Sequence, residues 1–149
     1  MTILRLNKLE LKTFTEQNAE DYCNLNNIDP DNIIELRLCD NKLTDISGIK
    51  LFKNLEILNL SENRLENIYF LKDLKNIKRL YLNENPLWNI SVIKYLTKLE
   101  YLNIAYLELE SDQIKYIKKL NKLKKIWYKN GFKDISILNQ LNKKIIKKE

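Results

Sequence analysis

Five stretches of the chain repeat one apolar spacing, and this repetition restricts the fold more than anything else in the sequence. They begin at Ile33, Leu55, Ile77, Leu99 and Leu123 and read IIELRLCDNKL, LEILNLSENRL, IKRLYLNENPL, LEYLNIAYLEL and LKKIWYKNGF. The first four starts are 22 residues apart, and two residues are inserted before the fifth. With Ile allowed for Leu, the pattern is L-x-x-L-x-L-x-x-N-x-L. The fourth stretch departs from it by placing Leu107 where Asn is expected. The fifth is one residue short, so Asn130 and Phe132 are assigned the Asn and final apolar places. A second apolar series follows each stretch: Ile46, Ile49 and Phe52, then Ile68, Leu71 and Leu74, then Ile90, Ile93 and Leu96. It continues with Ile114, Ile117 and Leu120, and with Ile135, Leu138 and Leu141.

Elementary geometry converts this spacing into a coil. The alternation of Leu36 and Leu38 places two side chains on one face of a short strand. The series spaced by three suits a helical or 3-10 turn on the opposite side. One coil cannot bury both sets alone, whereas stacked coils share a continuous core. The Asn at the ninth place is expected to be buried. Its amide supplies donors and an acceptor for backbone groups freed where the chain leaves the strand. Asn41, Asn63 and Asn85 are therefore expected to form a ladder that Leu107 interrupts.

The ends differ from the middle. Thr15 is placed to cap a helix over Glu16 to Leu25, with Ala19, Tyr22, Cys23 and Leu25 as its apolar stripe. Met1 to Phe14 alternates loosely through Leu4, Leu6, Leu9 and Leu11, as a strand or hairpin would. The expected organisation is a single domain: an N-terminal cap at 1–32, five repeats at 33–144 and a basic tail at 145–149. Ser111 is expected to cap a helix over 112–120, and a closing helix is expected over 134–144. The last strand, near Lys125 to Lys129, is expected to be a sheet edge guarded by its lysines.

The pattern resembles the leucine-rich-repeat family, specifically its short 22-residue class. The segment Asn41-Lys42-Leu43-Thr44-Asp45-Ile46-Ser47 is similar to the repeats of bacterial internalins and of protein-phosphatase regulatory subunits. The resemblance covers roughly Ile33 to Leu141. It implies an α/β solenoid, wound as a right-handed superhelix. A parallel sheet would line the concave face and short helices or 3-10 turns the convex face, with a helical N-terminal cap.

Function must then lie on exposed positions, because the motif residues are structural. Alternate strand residues leave by opposite faces, so the concave surface is read as columns. The first is Glu35, Ile57, Arg79, Tyr101 and Lys125, and the second is Arg37, Asn59, Tyr81, Asn103 and Trp127. A third holds Cys39, Ser61, Asn83, Ala105 and Lys129, and a fourth holds Asp40, Glu62, Glu84 and Tyr106. Tyr81, Tyr101, Tyr106 and Trp127 fall on neighbouring coils. Large amphipathic rings of this kind anchor protein interfaces, so these four, with Arg79 and Asn103, are the expected partner-binding patch.

Other chemistry has few residues to work with. The chain holds no His and only two Gly, so the Ser-His-Asp triad, the Cys-His dyad and Gly-rich phosphate loops have no basis in it. No enzyme activity, cofactor or metal is expected. The net charge of +6 is uneven: residues 1–114 carry 14 basic and 18 acidic groups, while 115–149 carry 12 Lys against Asp134 and Glu149. That end supports an alternative reading, a nucleic-acid or ribonucleoprotein accessory protein. Met1 to Lys12 lacks a secretory pattern and no run is long enough to span a membrane, so a cytoplasmic location with free thiols at Cys23 and Cys39 is expected. A monomer is expected, with self-association left open.

Overall fold

The computed structural model describes residues 2–134, 136, 139 and 141, and the backbone of 146–148. Among the described residues seven strands pair in parallel in strict chain order: β1 (Thr2–Arg5), β2 (Ile33–Arg37), β3 (Ile57–Asn59), β4 (Arg79–Tyr81), β5 (Tyr101–Asn103), β6 (Lys125–Trp127) and β7 (Ile146–Lys148). This is the solenoid that the leucine-rich-repeat resemblance implies. In register, Leu36, Leu58, Leu80, Leu102 and Ile126 stand opposite one another, and all five are buried. On the far side run 3-10 turns at Ser47–Leu51, Tyr69–Asp73 and Ser91–Tyr95. They bury Ile49, Leu71 and Ile93 against the same core.

The first and third of these 3-10 turns are shaped by what precedes them. The side-chain oxygens of Asp45 and Asn89 accept the backbone N–H of Ser47 and Ser91, each at 2.7 Å, and Asp134 does the same for Ser136 at 2.9 Å. These bonds close local turns that compete with a regular helix and so keep the convex segment short. In the fourth coil the expected helix is reduced. A 3-10 turn at Ser111–Gln113 runs into α2 (Ile114–Ile117), and its N-cap is Glu110, with no side-chain cap bond, rather than Ser111. Only Ile114 and Ile117 are buried along α2, so a single turn satisfies the core.

The N-terminal segment is not a hairpin. β1 pairs in parallel with β2, Leu6 N–H donates to Arg37 O at 2.8 Å, and Thr13 bridges to Asp45. Lys8 takes the left-handed backbone conformation that Asp40 takes one coil later, with φ of 62° and 54°. Residues 2–14 therefore trace one more coil, with Leu4, Leu6 and Phe14 buried in the shared core. Its convex turn is replaced by α1 (Glu16–Leu25). Thr15 caps this helix as expected: its hydroxyl accepts Asn18 N–H, and the Asn18 side chain accepts Thr15 N–H, both at 3.2 Å. Ala19 and Cys23 are buried, but Leu25 is 83% exposed. Two residues beyond Cys23 is about 200° around a helix, which takes Leu25 off the apolar stripe. The helix approaches the first 3-10 turn so closely that a Cβ at Gly48 would lie 2.5 Å from Thr15 O.

At the other end, β7 pairs with β6, Ile146 opposite Lys125. The expected edge at Lys125 to Lys129 is thus covered by one further strand, within the expected basic tail at 145–149. Ile135, Leu138 and most of the expected closing helix lie outside the described residues, while Leu141 is buried.

The Asn ladder exists and has three rungs. Asn63 Nδ2 donates to Leu38 O at 2.9 Å and Leu60 O at 3.1 Å, while its Oδ1 accepts Leu43 N–H at 3.0 Å. Asn85 repeats this one coil on, with Leu60 O at 2.9 Å, Leu82 O at 3.0 Å and Leu65 N–H at 3.0 Å. Asn41 reaches back into the N-terminal coil, bonding Leu6 O at 2.8 Å and the N–H groups of Leu9 and Leu11. In the fourth coil Leu107 occupies the place as a buried apolar residue. The fifth coil corrects the expectation for Asn130. That residue takes the left-handed turn, with φ of 49°, and Gly131 takes the ladder place. A Cβ at Gly131 would lie 2.7 Å from Ile104 O and 2.8 Å from Tyr128 O, the pair of carbonyls that a ladder amide would bond. The backbone itself fills the position, and Gly131 N–H donates to Tyr128 O. Phe132 does take the final apolar place: it is buried and bridges to Leu109.

Candidate functional site

The sheet presents side chains from β2 to β6 on its concave face. Register sets Arg79 beside Tyr101 and Tyr101 beside Lys125, and likewise Tyr81 beside Asn103 and Asn103 beside Trp127. The rings of Tyr81 and Tyr101 meet with centroids 5.1 Å apart at an interplanar angle of 41°, a tilted aromatic pair. Lys125 Nζ lies 5.8 Å from the Tyr101 ring centre and 6.0 Å from that of Trp127, so one ammonium links both rings. Partial burial, followed by the neighbouring Tyr81, pushes the Tyr101 phenol above its ordinary pKa. It stays neutral, and available as a hydrogen-bond donor, throughout the physiological range. Asn103 is held by its own turn, its Oδ1 accepting Ala105 N–H at 3.1 Å.

Five of the six expected patch residues are therefore neighbours: Tyr81, Tyr101, Trp127, Arg79 and Asn103. Tyr106 lies off the strands. It occupies the left-handed turn after β5, with φ of 59°, and is 44% exposed. The fourth column as a whole is this turn, since Asp40, Glu62 and Glu84 have φ of 54°, 56° and 56°. A left-handed non-glycine residue costs about 1 kcal/mol or more, so the acidic row is a strained rim rather than a strand surface. The third column also departs from expectation. Ser61 and Ala105 are buried, because the chain curls under the Asn59 and Asn103 amides as it leaves the strand. Burial is the largest cause raising the Cys39 thiol pKa, and nearby Glu62 and Asp40 add to it, so Cys39 is a poor nucleophile.

Next to the aromatic cluster lies a cleft of about 310 Å³, lined by Glu35, Arg37, Ile57, Asn59, Arg79 and Tyr81. Glu35 is nearly buried and accepts Arg37 Nε at 2.5 Å. The two residues are i and i+2 on one strand, the spacing that shares a face, so the pair was available to sequence reasoning although it was not singled out. Lys125 was likewise placed in its column but not in the patch.

A second feature was missed. On the convex turns, lysines sit over aromatic rings: Lys50 over Phe70 at 4.8 Å, Lys72 over Tyr69 at 4.4 Å and Lys94 over Tyr95 at 4.9 Å. Lys50, Lys72 and Lys94 recur every 22 residues, which was the signal. In the lysine-rich end, Lys115 pairs with Asp112, Lys124 with Glu100 and Lys133 with Glu110. Among the described residues no helix is long and apolar enough to cross a membrane.

A family model described as Leucine Rich repeats (2 copies) matches residues 31–73 and 53–95. No curated protein matches the sequence. Among solved structures, the chain is similar to an internalin (inlF) from Listeria monocytogenes, with a TM-score of 0.69 and 27% identity over 77% of this chain. It spans only 34% of that protein. It is also similar to internalin C2 (inlC2) of the same organism, with a TM-score of 0.72 and 26% identity, covering 96% of this chain and 68% of the other.

Proposed function

The chain is a leucine-rich-repeat protein, and from that premise we propose that it is a non-catalytic interaction module, an adaptor that docks a protein or peptide on its concave face. Leucine-rich repeats generally mediate protein–protein interaction. The observation that carries the choice of face is the Tyr81–Tyr101 ring pair, joined through Lys125 to Trp127 on the exposed side of the sheet. Rings held by strands lose little conformational freedom on binding, which makes them efficient anchors. Arg79 and Asn103 supply polar contacts at the centre and Tyr106 an outlying contact at the rim. The unbridged thiols of Cys23 and Cys39 suit a reducing, cytoplasmic setting. The module acts as a monomer in this reading.

The test is the double variant Tyr101→Ala/Trp127→Ala. Both side chains stand on the sheet surface, so the circular-dichroism melt should stay close to that of the wild type. Affinity chromatography from the native cell, read by mass spectrometry, should lose the proteins that the wild-type chain retains. An unchanged set of retained proteins contradicts the assignment of the face.

The alternative, a nucleic-acid accessory role for the lysine-rich end, has less support. Lys115, Lys124 and Lys133 already have carboxylate partners. Retardation of RNA or DNA at low salt that weakens steeply as salt rises would favour it over docking.

A further inference from the structure

We infer that the cleft between β2 and β4 is a carboxylate subsite, taking an Asp or Glu side chain of an extended peptide whose apolar residue rests on Tyr101 and Trp127. The inference depends on the concave face being the docking face and adds the chemistry of what docks there.

The cleft is rich in donors. Arg37 spends its Nε on Glu35, which fixes the guanidinium plane and leaves the other N–H groups of the fork open. Asn59 accepts Ser61 N–H at 3.0 Å and Ser61 Oγ–H at 2.7 Å through Oδ1, so its Nδ2 is left as a donor on the cleft wall. Arg79 is exposed and its guanidinium has no hydrogen-bond or ion-pair partner among the described residues. The one carboxylate in the lining, Glu35, already belongs to Arg37. Two oriented donors, Arg37 and Asn59, and one unpaired cation, Arg79, call for a ligand that only accepts and carries negative charge.

Charge decides between a carboxylate and a phosphate. Glu35, Arg37 and Arg79 sum to one positive charge, which a single carboxylate neutralises. A phosphate near two negative charges would overshoot and face the Glu35 carboxylate in a partly dehydrated space.

Spacing gives the rest of the ligand. Arg79 on β4 and Trp127 on β6 are two strands apart, about 10 Å at the usual strand separation. An extended chain covers that, with the offset along the strands, in about three to four residues. The preferred ligand is thus an acidic residue followed or preceded, at that distance, by an aromatic or large aliphatic one.

The experiment is selection of a random linear peptide library, displayed on phage, against the full chain, with synthetic versions of the enriched peptides measured by fluorescence anisotropy. Enriched sequences should carry Asp or Glu at that distance from an apolar residue. Arg79→Gln, which leaves the melt unchanged, should weaken binding about tenfold. Replacing the peptide acid by its amide should cost the same in the wild type and nothing further in the variant, as a coupled pair requires. Phosphoserine in place of the acid should bind more weakly. Enrichment without acidic residues, an acid preference that survives Arg79→Gln, or tighter binding of phosphoserine overturns the carboxylate subsite while leaving concave docking intact. Failure of the wild type to enrich any peptide over the Tyr101→Ala/Trp127→Ala variant overturns the docking reading together with this one.

Discussion

The coils on either side of Leu107 solve one problem in two ways. From Asn41 to Asn85 the turn out of each strand is held by a side-chain amide, which bonds carbonyls of its own coil and of the preceding one. Beyond it, Leu107 substitutes apolar burial, Gly131 brings the backbone into the amide's place, and the buried Gln113 accepts Ile90 N–H at 3.1 Å. The first region keeps a strict 22-residue period, and the second admits the two-residue insertion before Leu123. An amide ladder demands that every coil arrive at the same height and orientation, whereas apolar burial and a glycine tolerate variation. The aromatic cluster straddles the boundary, on β4, β5 and β6. Tyr81 stands on the laddered coil of Asn85, Tyr101 on the coil of Leu107 and Trp127 on the coil of Gly131.

Substitutions at equivalent places on either side of the boundary separate the two solutions. Asn63→Leu leaves Leu38 O, Leu60 O and Leu43 N–H without their amide partner in a buried site, and should cost about 3 kcal/mol of unfolding free energy. Leu107→Asn, the reverse change, should fall within about 1 kcal/mol of the wild type, the new hydrogen bonds offsetting the lost apolar burial. Urea unfolding of both variants reads the asymmetry, and equal costs would show that the ladder has no special weight in the first region. The smallest effect is expected at the rim. Glu84→Gly removes the Cβ from a left-handed residue and should stabilise by about 0.5 kcal/mol, the relief of strain exceeding the extra chain entropy. A destabilisation on thermal melting would mean that the rim carboxylate makes a contribution that outweighs its strain.

Most of the architecture was legible in the spacing because a solenoid core is periodic by necessity: each buried leucine needs a counterpart one coil away. Legibility failed where the period was broken. Leu4 and Leu6 belong to the same columns as Leu36 and Leu38, but α1 lengthens the interval and hides the N-terminal coil from a search at 22 residues. In the fifth coil, which is one residue short, the ladder place was assigned to Asn130 on residue type. The backbone chose Gly131, because the tight approach to Ile104 O needs a residue without a side chain, while Asn130 is tolerated in the left-handed turn. Which residues share the concave strands was legible where the strands are straight, at Arg79, Tyr81, Tyr101, Asn103 and Trp127. The columns failed at Ser61 and Ala105, which are buried, and put Tyr106 on a strand although it sits in the turn, because strand alternation no longer applies once the chain has begun to turn. Contacts between coils, such as Lys125 over two rings, depend on register as well as on side-chain direction, which a column of letters does not supply.

The most direct test of the central claim is hydrogen exchange of the chain with and without a selected peptide. Slower exchange should fall on the strand segments 79–81, 101–103 and 125–127, with little change on the convex turns at 47–51, 69–73 and 91–95. Protection confined to the convex turns, where lysines cover the aromatic rings, would place the docking surface on the wrong side of the molecule and contradict the account.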